Sequence, residues 1–205
     1  MPSGTRSYSQ TQRAESTAAT RRAILDAAVA LFREEGGDPD PSLERVAARA
    51  GCSTRSVIRH FGSKEELFET AMADAIGAVV EARRVEPGDV DACVRQLVDH
   101  YERMGDDVVR WLGLAAERYP LVRRVTEEGE RMHRELVAEA FEPDLRTLGR
   151  SERRRCLAAL ATVTDVYVWH LLRRREGLGR EATEAEIRNL VEAARCGAAA
   201  AGAGR

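Results

Sequence analysis

The sequence predicts an all-α protein: an N-terminal unit of three helices, a long fourth helix, and an all-helical remainder. Three observations carry this. Beyond Thr17, apolar residues recur at spacings of three and four, the period of a helix with one buried face. No stretch alternates apolar and polar residues convincingly enough to read as a strand, and no repeat of fixed period is present. The interruptions are Gly, Pro and side chains suited to capping helices. With 205 residues, 43% hydrophobic and 32% charged, the chain can bury a sizeable core and is not a disordered composition.

Residues 1–16 are polar and rich in Ser, Thr, Gln and Arg, and read as a flexible arm. A first helix is expected from about Thr17 to Glu35, with Ile24, Leu25, Ala28, Leu31 and Phe32 on one stripe. The run "GGDPDP" stops it. Ser42 can cap a second helix over 43–50, with Leu43, Val46, Ala47 and Ala50 inward, and Gly51 ends it. Ser53 can cap a third over 54–60, and Ser63 with Glu66 forms a capping box for a fourth that runs to about Arg84. "VEPGD" breaks that helix. Further helices are expected over 89–104, 106–118, 121–141, 151–176 and 183–196, broken at Gly105, Pro120, "EPDL" and "EGLGREAT". The expected division is a helical head at 17–64, a larger helical domain at 65–196 and a frayed tail at 197–205.

The stretch "VAARAGCSTRSVIRHF" is the most informative. Two short helices separated by three residues must cross steeply. Gly51 tolerates the positive φ such a corner needs, and Ser53 starts the next helix at once. Small Ala47 and Ala50 allow close approach. This is helix-turn-helix spacing, in which a second helix can enter a DNA major groove. Val57 and Phe61 bury one side of that helix. Thr54, Arg55, Ser56, Ile58, Arg59 and His60 are left for other uses, with Ser42 and Ser53 at the helix starts. Arg pairs bidentately with guanine, and Thr and Ser reach bases or phosphate. Lys64, and Arg21 and Arg22 opening the first helix, are candidates for phosphate, as are Arg6 and Arg13 in the arm. Solvated polar residues on an amphipathic hairpin are the plain alternative.

The segments "TRRAILDAAVALF" and "SLERVAARAGCSTRSVIRHFGSKEELFETAM" resemble the DNA-binding domain of the tetracycline-repressor (TetR) family of transcriptional regulators. The resemblance covers roughly residues 17–72. It rests on Ala47, Gly51, Ser53, "RHF" at 59–61, Lys64, Glu65 and Leu67. It implies a regulator, more commonly a repressor, that binds a palindromic double-stranded DNA operator as a homodimer and releases it on binding a small-molecule effector. One departure stands out. The family usually has Thr-Leu-Tyr before the His-Phe pair; here Ser56, Val57 and Ile58 occupy those positions. Ile58 lacks a hydroxyl for DNA, but an apolar side chain can touch a thymine methyl.

In segment 151–176, Leu157, Leu160, Ala161, Val163, Val166, Val168, Leu171 and Leu172 cover more than one stripe, so that helix is expected to be buried on more than one side. Segment 183–196 adds Ile187, Leu190, Val191 and Ala194. The expected dimer interface is Leu157, Leu160, Ala161, Val168, Leu171, Leu172, Ile187, Leu190, Val191 and Ala194; a central helix of a monomer is the alternative. The resemblance also implies an effector cavity among Tyr101, Met104, Trp111, Tyr119, Met132, His133, Phe141, Tyr167, Trp169 and His170, although aromatics at helical intervals are commonly plain core.

Other classes find less support. No Gly-rich phosphate loop, nucleophile motif or plausible carboxylate pair argues for an enzyme, and Asp165 near His170 is not compelling. Cys52, Cys93, Cys156 and Cys196 lack metal-ligand spacing and read as small buried apolar residues, so no metal or cofactor is expected. No apolar run is long enough to span a membrane, and the N-terminus lacks the apolar segment of a signal peptide; the cytoplasm is the expected location. Residues 1–64 hold ten Arg or Lys against seven Asp or Glu, and the rest hold 22 against 27. A mildly basic head fits nucleic acid. The rival is a helical interaction protein that keeps the hairpin without reading DNA.

Overall fold

A computed structural model describes residues 4–34, 41–114 and 119–202; side chains of 4–11, 13 and 196–202 are not described. Every regular element among the described residues is a helix. The chain divides into two compact units, residues 1–76 and 77–205.

The first unit begins with α1, Gly4–Arg33. This helix starts well before Thr17, and the expected arm at residues 1–16 is helical from Gly4 onward. Between Thr5 and Arg33 there is no Pro or Gly to interrupt it. The "GGDPDP" stop falls at residues 36–41, of which only Pro41 is described, and the side chains of Arg6 and Arg13 also lie outside the description. Helix α2 spans Leu43–Arg49, α3 spans Thr54–Phe61, and α4 spans Lys64–Arg83, running from the first unit into the second. α1 packs on α2 and α2 on α3. Ile24, Leu25, Ala28, Leu31 and Phe32 of α1 are buried, as are Val46 and Ala47 of α2, Val57 and Phe61 of α3, and Leu67, Phe68, Ala71 and Met72 of α4. The apolar periodicity therefore marks the core faces of these helices, except that Leu43 and Ala50, expected inward, are only half-buried at the ends of α2.

The second unit holds α5 (Val90–Leu112), α6 (Pro120–Ala140), the single turn α7 (Glu142–Leu145), α8 (Arg150–Val163), α9 (Val166–His170), a π-helical turn (Leu171–Arg175) and α10 (Arg180–Gly202). α5 is central: it contacts α6, α9 and α10, while α8 packs on α6 and α10. The core joins Val94, Leu97, Val98 and Tyr101 of α5 to Val137, Phe141, Leu145, Leu160, Trp169, Ile187 and Val191.

Two expectations about breaks are reversed here. Gly105 does not end a helix, because α5 runs through it. A Cβ at Gly105 would lie 2.3 Å from Cζ3 of Trp169, so the missing side chain makes room for the indole. Conversely, the expected helix 151–176 is interrupted at Thr164 and Asp165. The Thr164 hydroxyl donates to the Leu160 carbonyl at 2.7 Å, and Asp165 Oδ1 accepts from the Tyr167 amide at 2.9 Å, so one residue closes α8 and the next caps α9. α10 also starts earlier and continues further than 183–196, reaching Gly202 in the segment expected to be frayed.

Candidate nucleic-acid interface and effector region

The corner between α2 and α3 is built from backbone hydrogen bonds. Gly51 has φ 66°, the left-handed region. Its amide donates to the Ala48 carbonyl at 3.3 Å, and the Cys52 amide donates to that of Ala47 at 3.0 Å. This pair is the Schellman arrangement, which satisfies carbonyls at the end of α2. Ser53 Oγ then accepts from the Ser56 amide at 3.2 Å and opens α3. Ser42 does the same for α2, accepting from the Arg45 amide at 3.4 Å. Both serines thus have a structural role whatever else they touch. At the far end of α3, Gly62 has φ 80°, and Ser63 Oγ accepts from the Glu66 amide at 3.1 Å to start α4.

With Val57 and Phe61 buried, α3 presents Arg55, Ile58 and Arg59 to solvent. Positions 55, 58 and 59 fall on one helical stripe. Ile58 is 47% exposed, one of the few large apolar side chains left in water among the described residues. Arg59 Nη2 donates to Ser56 Oγ at 3.1 Å, which holds the guanidinium along the helix. Thr54, Ser56, His60 and Lys64 are half-buried.

The other arginines of the head are less available than the sequence suggests. Arg22 pairs with Asp26 at 2.9 Å and Asp74 at 2.8 Å, and these carboxylates, Asp26 foremost, raise its pKa further. Arg21 lies over the Phe61 ring at 4.9 Å, a cation–π contact that braces α3 from α1. Arg45 and Arg49 both reach Glu34. Thus Arg22 is committed to the fold, and Arg55 and Arg59 hold the outward positive charge of α3.

Residues 24–71 match the family model of bacterial regulatory proteins of the tetR family. The N-terminal unit is a tetR-family domain. Two solved structures are similar over most of the chain. One, assigned as a transcriptional regulator of Streptomyces coelicolor A3(2), is 27% identical, with a TM-score of 0.53, over 84% of this chain and 98% of its own. The other, a transcriptional regulator from Rhodococcus sp. Rha1, is 20% identical, with a TM-score of 0.58, over 86% of this chain and 96% of its own, and shows likeness of fold. No protein of curated function matches the chain.

Outside the tetR-family domain, the residues expected to line an effector cavity divide. Tyr101, Trp111, Met132, Phe141 and Trp169 are buried, and Tyr101, Phe141 and Trp169 belong to the central core. Trp169 is fully enclosed: its ring packs on Gly105 and lies 5.9 Å from that of Tyr101, and its Nε1 donates to Glu102 at 3.0 Å. Such a side chain is a structural centre rather than a cavity wall. Met104, Tyr119 and His170 are half-buried, and Tyr167 is exposed. Asp165, the carboxylate nearest His170 in sequence, is engaged as the cap of α9. A groove of about 440 Å³ is lined instead by Arg84, Val85, Glu86, Pro87, Asp89, Ala92, Gln96 and Glu139, none of them an expected cavity residue.

His133 is buried, and its Nδ1 lies 3.2 Å from Arg83 Nη2. Its Nε2 is 3.1 Å from the Ala161 carbonyl and 3.3 Å from the Thr164 hydroxyl. Burial, aided by the Arg83 charge, lowers its pKa to about 4. The ring is therefore neutral near pH 7. Nδ1 accepts from Arg83, and Nε2–H donates to Ala161. The Tyr101 hydroxyl donates to the Thr164 carbonyl at 3.0 Å, and burial pushes its pKa up. Arg83 is not among the residues expected to line the effector region. A signal for it is present: Ile76, Val79, Val80 and Arg83 share one face of α4, so a charge continues an apolar stripe.

The expected dimer residues divide as well. Leu160, Ile187 and Val191 are fully buried in the chain's own core and have no surface to offer a second copy. Leu157, Val168, Leu172 and Ala194 pack partly against that core, and Ala161 is half-buried. Leu171 and Leu190 are exposed at 43% and 39%. Within 151–176 the break at Thr164 and the π-helical turn each rotate the helical face of the residues C-terminal to them, so one apolar run serves more than one face.

Proposed function

We propose that this chain is a ligand-responsive transcriptional regulator, acting as a repressor, that binds a palindromic operator as a homodimer. The observation that carries the reading is the outward stripe Arg55, Ile58 and Arg59 on a helix braced by the Gly51 corner, within a tetR-family domain. In that role α3 enters the major groove. Arg55 and Arg59 reach guanine or phosphate, and Ile58 meets a thymine methyl. Thr54, Ser56, His60, Lys64 and Arg21 supply further contacts at the edges. Two heads about 34–36 Å apart would read half-sites one helical turn apart.

The dimer reading is supported by the exposed side chains. Besides Ile58, the large apolar residues in water among those described are Tyr167, Leu171 and Leu190. All three belong to the α9–α10 region, and α9 and α10 touch. An effector bound in the second unit would favour a conformation in which the heads no longer match the groove spacing. The size of that response is bounded by the effector's differential affinity for the two states.

Selection from a random duplex pool by the purified protein tests the reading. A palindromic consensus is expected. Arg55→Ala should relax preference at one position of each half-site, with a loss of about 1–3 kcal/mol there. Enrichment of no sequence over competitor would favour the second reading, an interaction protein that retains the hairpin. The engagement of Arg22, Arg45 and Arg49 by carboxylates gives that second reading its support.

A further inference from the structure

In the second unit, Arg83 ends α4 with its side chain directed inward; the residue is only 7% exposed. Its neighbours are a neutral imidazole and an aromatic ring: Nη2 meets His133 Nδ1 at 3.2 Å, and the guanidinium lies 5.9 Å from the centre of Tyr101. Among the described residues no carboxylate lies within ion-pairing distance of it. Asp165 acts through space on both His133 and Tyr101, yet forms no ion pair with Arg83. Gln96, with its amide oriented to satisfy its neighbours, bonds the Arg83 carbonyl and not the guanidinium. The other polar groups of the cluster are engaged elsewhere: the Tyr101 hydroxyl with Thr164, and His133 Nε2 with Ala161.

This arrangement is costly for a folded protein. A buried cation is ordinarily matched by an anion, because desolvating it alone is expensive. A guanidinium carries five N–H donors in a rigid fork suited to a carboxylate, and His133 takes one of them. Elsewhere in the same unit arginines do find carboxylates: Arg173 with Glu102 at 2.9 Å, Arg174 with Asp106 at 2.9 Å and Arg195 with Asp144 at 3.1 Å. Those arginines are all more exposed than Arg83. The most enclosed of the four is thus the one with no partner of opposite charge.

We propose that Arg83 anchors the acidic group of the effector, and that the effector is accordingly an organic carboxylic acid. The proposal rests on the effector-responsive reading above and gives it a ligand class. A carboxylate forms parallel hydrogen bonds with the guanidinium and supplies the missing charge. Tyr101 and His133, both buried and engaged with Thr164 and Ala161, hold the guanidinium in place for that group. A neutral amide or ester of the same shape leaves the cation unmatched and is discriminated against.

The test uses the full chain without DNA, so it does not depend on whether an operator is found. Thermal unfolding is followed with benzoate, cinnamate and decanoate at millimolar concentration, and with the corresponding primary amides. At least one acid should raise the melting temperature and its amide should not. Binding of that acid, measured by calorimetry, should weaken about tenfold or more in Arg83→Gln. Arg83→Lys, which keeps the charge but not the fork, should fall between. Should Arg83→Gln fail to fold, the lysine variant carries the comparison: unchanged acid affinity there overturns the proposal. It is also overturned if no acid in the set stabilises the protein, if acid and amide act alike, or if the acid shifts Arg83→Gln as much as the parent. A role of Arg83 confined to bracing Tyr101 and His133 would lower the melting temperature of the glutamine variant equally with and without acid. That result too would count against an anchor.

Discussion

At Gly105 the missing side chain is filled by another residue. The helix α5 tolerates glycine because the Trp169 ring occupies the place of a Cβ. Gly105→Ala improves helix propensity by about 1 kcal/mol but drives a methyl into that ring, and overpacking of a core costs about 1–3 kcal/mol. The indole is held by Glu102, Tyr101 and Arg174 and cannot withdraw freely. The variant is expected to be destabilised, seen as a lower urea midpoint at unchanged slope. His133 provides a second residue-scale expectation. Its pKa falls from 6.5 to about 4 on folding, so between those values the unfolded chain binds more protons than the folded one. The stabilisation is complete above pH 6.5 and is lost as the pH falls toward 4, by about 3 kcal/mol in total. His133→Gln should show a flatter stability profile across that window, and the difference between parent and variant isolates this group from the titrating carboxylates. Neither residue's role was readable in the sequence. A glycine in a helical run looks like a break, and a histidine shows its protonation only through its neighbours.

The elements of the head were legible because their signals are local. Gly51 and Ser53 act on residues within a turn of themselves, and the structure places both where the spacing puts them. Ser53→Ala removes the cap of α3 and should cost about 1 kcal/mol. Gly51→Ala meets no neighbouring atom, so its penalty is purely backbone strain, about 1–2 kcal/mol. Gly51→Asn should recover part of it, since Asn enters the left-handed region more readily. Calorimetric unfolding of the three variants gives the ranking. In the second unit the boundaries depend on partners distant in sequence. The break between α8 and α9 needs Thr164 to bond Leu160 and Asp165 to cap, a choice that a continuous apolar run conceals. The turn Leu171–Arg175 is likewise shaped by α5. Burial opposes ionisation of Glu102, yet hydrogen bonds from Arg173 and Trp169 keep its carboxyl below the ordinary range. Arg174 pairs with Asp106 one turn further along.

For the whole molecule, all-helical architecture followed from periodicity, and the tetR-family head from a few residues around one corner. The division of exposed from enclosed apolar residues did not follow, because an apolar residue gives the same sequence signal in either place. Ile187 and Leu190 are three positions apart; one is fully enclosed and the other exposed. If two copies associate through the α9–α10 region, Leu171→Glu and Leu190→Glu together should sediment as single chains and bind an operator far more weakly than the parent, since each head then acts alone. Folding should be little affected, as both side chains already face water. Operator affinity of the parent should also fall steeply with salt, with a slope of about 0.9 per phosphate neutralised.

The basic residues of this chain are arginines with one exception, Lys64, at the first position of α4 beside the candidate DNA face. Amine-directed reagents therefore have a single side-chain target in the entire polypeptide. A fluorophore or crosslinker attached there would report on events at the duplex, with the α-amino group the other amine to be labelled or blocked first, without introducing a cysteine or altering the sequence.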